Sequence, residues 1–127
     1  MRAPHVYEYA VIRIVPRVDR EEFLNVGIIL FSKSARFIRV LSEVREARLL
    51  ALAPDLDLDL LRQQLGVFAR IAEGDPACGP IAALSLPERF RWLTAVRSAI
   101  LQTSRPHPGL SSDPDATARK LFEELVG

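Results

Sequence analysis

The chain has 127 residues, 49% apolar and 26% charged, the balance of a globular protein and a length suited to one domain with an ordinary core. Seventeen basic against sixteen acidic side chains leave a formal charge of +1, so no long-range field draws the whole molecule to nucleic acid or to an anionic membrane. Fifteen of the seventeen basic residues are Arg, which suits carboxylate or phosphate recognition but is read first as a product of genomic base composition. The single cysteine, Cys78, excludes an internal disulfide, and with only two histidines far from it in sequence it makes no zinc site. The opening MRAPHVYEYAVIRIVP carries Glu8 and Arg13 inside its apolar stretch, unlike the apolar core of a signal peptide. No window reaches the roughly 20 apolar residues of a membrane helix. A cytoplasmic protein, neither exported nor inserted, is expected.

Val6 to Val15 is branched or aromatic and reads as a first strand closed by Pro16. Alternation sets Tyr7, Tyr9, Val11, Arg13 and Val15 on one face and Val6, Glu8, Ala10, Ile12 and Ile14 on the other. The charged run RVDREEF reads as a turn or a single helical turn. Val26 to Phe31 is apolar on both faces, as in a strand covered on two sides, and is expected to be the centre of the fold. Ser32 to Ala35 reads as a hairpin loop into an antiparallel third strand, RFIRVLSE. Asn25 and Gly27, polar and small at the entrance to the central strand, fit a bend or bulge there. They also fit a ligand site in which Gly27 leaves room and the Asn25 amide offers a donor and an acceptor.

Arg45 to Ala53 reads as a short helix stopped by Pro54. Leu58, Leu61, Leu65, Phe68 and Ala72 recur at helical spacing, with Asp55 or Asp57 to cap the start and Gly74 the end. Ser85 and Glu88 fit a capping box before a short helix through Phe90, Trp92 and Leu93. AVRSAILQTS is ambiguous between helix and strand. Arg105 to Asp113 reads as a polar loop, with Asp113 capping and Pro114 opening a final helix whose stripe is Ala118, Leu121, Phe122, Leu125 and Val126. The sum is an α+β fold, an antiparallel sheet of three to four strands with helices packed on it, in one domain over residues 1–127.

No catalytic spacing stands out. There is no phosphate loop, metalloprotease motif or nucleophile elbow, and a Ser–His pair means little without geometry. Tyr7, Tyr9 and Arg13 invite comparison with sheets that stack RNA bases, but two tyrosines at a helix-covered face read first as the edge of a core. The aspartates of PDLDLDL lack the glycine and closing glutamate of a calcium loop.

YEYAVIRIVPRVDREEFLNVGIILF resembles the N-terminal signature of the bacterial domain-of-unknown-function family 3037. The resemblance runs nearly the whole chain. It takes in Tyr7-x-Tyr9 with Arg13 and Pro16, Asn25-Val26-Gly27, Trp92-Leu93 with Arg97-Ser98, and the loop to Gly109 before Asp113-Pro114 and Leu121-Phe122. It implies a fourth strand from about Ser98 to Thr103, although Ala99 departs from the family's β-branched pattern. It implies no activity, catalytic residue, metal or cofactor. Family members encoded beside a HipA-like kinase-fold protein imply a protein partner or a shared pathway. Arg13, Asn25, Arg97 and His107 are thereby raised as candidates for a binding patch, with Gly27 beside them. Three classes follow: a partner-binding or regulatory module, an enzyme or sensor holding a small anion through Arg13 and Arg97, and, least favoured by the charge, a nucleic-acid binder.

Overall fold

A computed structural model describes residues 3–17, 20–95 and 100–127. Strand β1 (His5–Arg17) pairs antiparallel with β2 (Glu22–Ser32), and β2 with β3 (Phe37–Ser42), the expected meander. Helices α1 (Glu46–Leu52), α2 (Leu58–Glu73) and α3 (Leu86–Leu93) follow, with two 3-10 turns, Pro76–Cys78 and Pro80–Ala83, between the last two. The chain then returns to the free flank of β1 as β4 (Leu101–Thr103) and β5 (His107–Ser111), and ends in α4 (Pro114–Leu125). The fold is α+β.

The expected fourth strand is present over Leu101–Thr103; Ile100 lies outside it, and Ser98 and Ala99 lie outside the described residues. The run read as a loop contains β5, and polarity is what concealed it. His107, Pro108, Gly109 and Ser111 are poor strand formers, but they lie on a sheet edge, where Pro108 loses no ladder bond by lacking an N–H. β4 and β5 behave as one edge strand interrupted by a bulge. Opposite Ala10 and Val11 stand three residues, Ser104 to Pro106. Ser104 bridges the gap by donating its N–H to the Val11 carbonyl (2.8 Å) and accepting the Val11 N–H on its hydroxyl (2.9 Å).

Both faces of the sheet are covered, unequally. Ala10, Ile12, Ile14, Ile29 and Phe31 pack beneath α1, α2 and α3 through Leu49, Leu61, Leu65, Phe68, Phe90 and Leu93. On the other face Ile28 and Leu30 meet α4 alone, through Ala118, Leu121, Phe122 and Leu125. The double cover explains why Val26 to Phe31 is apolar at every side chain it carries. β2 starts four residues earlier than that run, at Glu22. Asp57 caps α2 by accepting the Leu60 N–H, and Gly74 ends it in the left-handed conformation at φ 78°. Asp113 caps α4 by accepting the Ala116 N–H (3.2 Å). The capping box expected at α3 does not form: the Ser85 hydroxyl donates to the Glu88 carboxylate itself (2.7 Å) and neither side chain bonds the helix backbone.

Phe31 stacks on Phe90 with ring centroids 5.2 Å apart and joins the sheet to α3. Phe31→Ala removes that contact and leaves a cavity, so chemical denaturation is expected to show a loss of about 3 to 5 kcal/mol. An unchanged midpoint would place β2 outside the core.

Candidate functional site

Because α4 lies over β2 and β3 more than over β1, the face of β1 bearing Tyr7, Tyr9, Val11 and Arg13 forms a strip along the side of that helix. Cross-strand partners share a face, so the pairing register builds rows across it. Tyr9 stands between Leu30 and His107, and Arg13 between Asn25 and Gln102. Two irregularities bracket the middle of the strip: Val26 is the extra residue where Ile12 pairs Gly27 and Arg13 pairs Asn25, and the Ser104 bulge lies on the opposite flank. Bulges re-aim neighbouring side chains, and here they separate an aromatic end from a cationic end.

At the aromatic end the Tyr7 and Tyr9 rings lie 6.3 Å apart, and Tyr9 lies 5.2 Å from the exposed His107 ring. Tyr7 leans over Gly109, where any side-chain carbon would collide with its ring. The absent side chain at 109 is therefore what lets the tyrosine lie flat on β5. At the cationic end the Arg13 guanidinium sits 4.2 Å above the ring of Phe23, a residue 48% exposed. Cation–π stacking of this kind contributes roughly 0.5 to 1 kcal/mol at an exposed site. Among the described residues no carboxylate pairs with Arg13: Glu22 bonds Arg20 (3.3 Å) and Glu43 bonds Arg45 (3.1 Å). The Arg13 Nε is enclosed without a hydrogen-bond partner.

The other residues singled out in the sequence fall in different places. The Asn25 amide donates to the Leu125 carbonyl (3.1 Å), and Arg48 donates to the Val126 carbonyl beside it (3.3 Å); together they close the C-terminus of α4. The Asn25 donor is thus committed internally, and its Oδ1 is enclosed with no donor of its own. Gly27 is fully buried, and a Cβ there would stand 2.5 Å from the Leu41 carbonyl. The room it leaves is filled by β3. Arg97 lies outside the described residues. Phe23 and Gln102 were missed as members of the strip; the signal for Phe23 was its position two residues before Asn25 on the same face.

Two other features were weighed. His5 Nδ1 and the Ser34 hydroxyl lie 2.8 Å apart at the β2–β3 turn, an exposed pair with no carboxylate bonded to the imidazole among the described residues. A cavity of about 490 Å³ opens between the β1–β2 connection and the start of α2, lined by Pro16, Arg17, Arg20, Leu52, Asp55 and Asp57 among others. Its charges are mixed, and Arg13, Asn25, Gly27 and His107 do not line it. Among the described residues no three His, Cys, Asp or Glu side chains gather as a metal site, and no helix is long and apolar enough to cross a membrane.

The architecture is α+β, with half-buried aromatic and cationic side chains along one face of β1. Residues 9–126 match the model of the family described as "Protein of unknown function (DUF3037)", and the chain belongs to that family. No curated protein and no solved structure matches it. The family description carries no activity.

Replacing Asn25 tests its role at the end of α4. Asn25→Ala removes one hydrogen bond, and a loss of about 1 kcal/mol is expected in urea denaturation. Asn25→Asp puts a negative charge against carbonyls at the negative end of the helix and should destabilise the chain further. An Asp variant as stable as the Ala variant would contradict the cap.

Proposed function

We propose that the chain is a binding module, acting through a protein partner, whose β1 strip receives an anionic group at Arg13. The observation that carries this reading is the half-buried guanidinium held over Phe23 with no internal counter-ion among the described residues. A partly buried charge is ordinarily paired, because desolvation is costly without compensation. An arginine fixed by stacking, with no carboxylate partner among the described residues, is suited to a planar carboxylate or a phosphate. His107 and Tyr9 extend the surface beyond the anion, whereas Asn25 and Gly27 act from beneath it, one by holding α4 and the other by admitting β3. The reading takes residues 1–127 as one domain. A bacterial, cytoplasmic setting agrees with the lone free Cys78 and with the family resemblance. The HipA-like kinase-fold protein implied by that resemblance is the first partner to test. A small anionic metabolite bound at the same guanidinium is the second reading, and the separate aromatic end of the strip favours the first.

Arg13→Ala separates an external from an internal counter-ion. With no ion pair to break, apo stability is expected to fall by about 1 kcal/mol or less, the stacking contribution, while shifts at Arg13 and Phe23 in an NMR titration with sodium acetate or inorganic phosphate disappear. A loss above about 3 kcal/mol, the signature of a stranded buried partner, would make the arginine structural.

A further inference from the structure

We infer that the free edge of β3 is a pairing surface for a second copy of this chain, the two β3 strands joining antiparallel about a two-fold axis at Val40 into one continuous sheet. The surface lies at the opposite edge of the sheet from β4 and β5, and the inference is independent of the reading of Arg13.

The two edges of the sheet are built differently. One is interrupted by the Ser104 bulge and carries Pro108, which has no N–H; devices of this kind block strand addition. β3 stands at the other, with β2 as its one strand neighbour among the described residues. Its sequence, FIRVLS, holds no proline, and it pairs with β2 from Phe37 with Ser32 to Ser42 with Gly27 without a register shift. The Glu43 N–H donates to the Val26 carbonyl (2.8 Å), and this fixes the phase of the ladder. Antiparallel pairs alternate in bonding, so Phe37, Arg39 and Leu41 turn their backbone groups to β2 and Ile38, Val40 and Ser42 turn theirs outward. Each of those outward residues presents an N–H and a C=O that meet no other part of the chain among the described residues.

That row complements itself. With Val40 opposite Val40 of the second copy, Ile38 stands opposite Ser42, and every outward N–H and C=O finds a partner. Arg39 falls opposite Leu41 and not opposite its own copy, so the register sets no like charges directly across from each other. Phe37, Ile38, Val40 and Leu41 are each only partly buried within the chain, and a second strand covers apolar surface that they leave open. The ends of the strand agree in charge as well. Arg36, at the turn, is exposed, pairs with no carboxylate among the described residues, and leaves strand alternation at φ 51°. Glu43, at the other end, reaches Arg45 at 3.1 Å and is 52% exposed. Antiparallel pairing brings Arg36 of each copy beside Glu43 of the other, a match that favours a second copy over a foreign strand.

Sedimentation equilibrium of the whole chain over a range of concentrations tests this, with amide hydrogen exchange followed by NMR at both ends of that range. The mass is expected to rise from 14.2 kDa to twice that value, and the amides of Ile38, Val40 and Ser42 to become protected together as it does. Val40→Pro removes an outward N–H at an edge position that tolerates proline and should weaken association roughly tenfold or more. Arg36→Glu should weaken it about fivefold through the two symmetry-related contacts, and Glu43→Arg added to it should restore it. Those positions lie about 23 Å apart along one strand, too far to compensate within a single chain. A chain that stays monomeric at millimolar concentration would overturn the inference. So would a dimer in which the Ile38, Val40 and Ser42 amides exchange freely, since its interface lies elsewhere. A dimer weakened by Val40→Pro but indifferent to both charge reversals would overturn the two-fold register. The exchange measurement uses the unaltered chain and decides the matter if Val40→Pro fails to fold.

Discussion

The structure depends on β1 being hydrogen-bonded along both flanks. Its thirteen residues pair with β2 on one side and with the interrupted edge strand β4–β5 on the other. The strand is thereby locked at the centre of the sheet, and its two faces have different fates. Three helices seal one face with a large apolar core, whereas α4 covers only part of the other. Tyr7, Tyr9 and Arg13 stay half-buried on a strand this central because its cover is incomplete. Arg13 is kept at the margin, with its stem and Nε in the protein and its fork over Phe23.

α4 is correspondingly the element that defines the strip, and it is held by polar contacts at both ends. Asp115 pairs with Arg39 of β3 and with Arg119 (2.8 Å), the Ser111 and Thr117 hydroxyls bond at 2.5 Å, and Asn25 and Arg48 take the last carbonyls. Exposed ion pairs contribute little each; the apolar stripe from Ala118 to Leu125 supplies most of the adhesion, and the polar contacts set where the helix lies. Asn25 and Arg13, neighbours across β1 and β2, thus do different work on one face. One anchors the cover, and the other uses the gap beside it.

Much of the fold was legible because periodicity and turn chemistry agree. The two-sided apolar run of β2, the leucine spacing of α2 with Asp57 and Gly74 at its ends, and Asp113-Pro114 before α4 each point to one local structure. β5 was illegible because His107, Pro108 and Gly109 carry loop chemistry, and only the flank of β1 gives them a ladder. The capping box at Ser85 failed for a related reason: the motif specifies two residues that can bond the backbone, and here they bond each other. Alternation put Tyr7, Tyr9 and Arg13 together correctly. It gave no hint that Arg13 would stack on Phe23 rather than meet Glu22 or Glu43, because that choice depends on strand register and on where the two carboxylates find other arginines.

The central claim is that Arg13 is held without an internal counter-ion among the described residues. Rotation of its guanidinium, followed by 15N exchange between the two Nη groups, tests this most directly, because a bidentate ion pair hinders that rotation and an open fork does not. The account predicts fast exchange in the free chain that slows when an anionic group is added. Slow exchange in the free chain, with a contact to one of its own carboxylates, would contradict it.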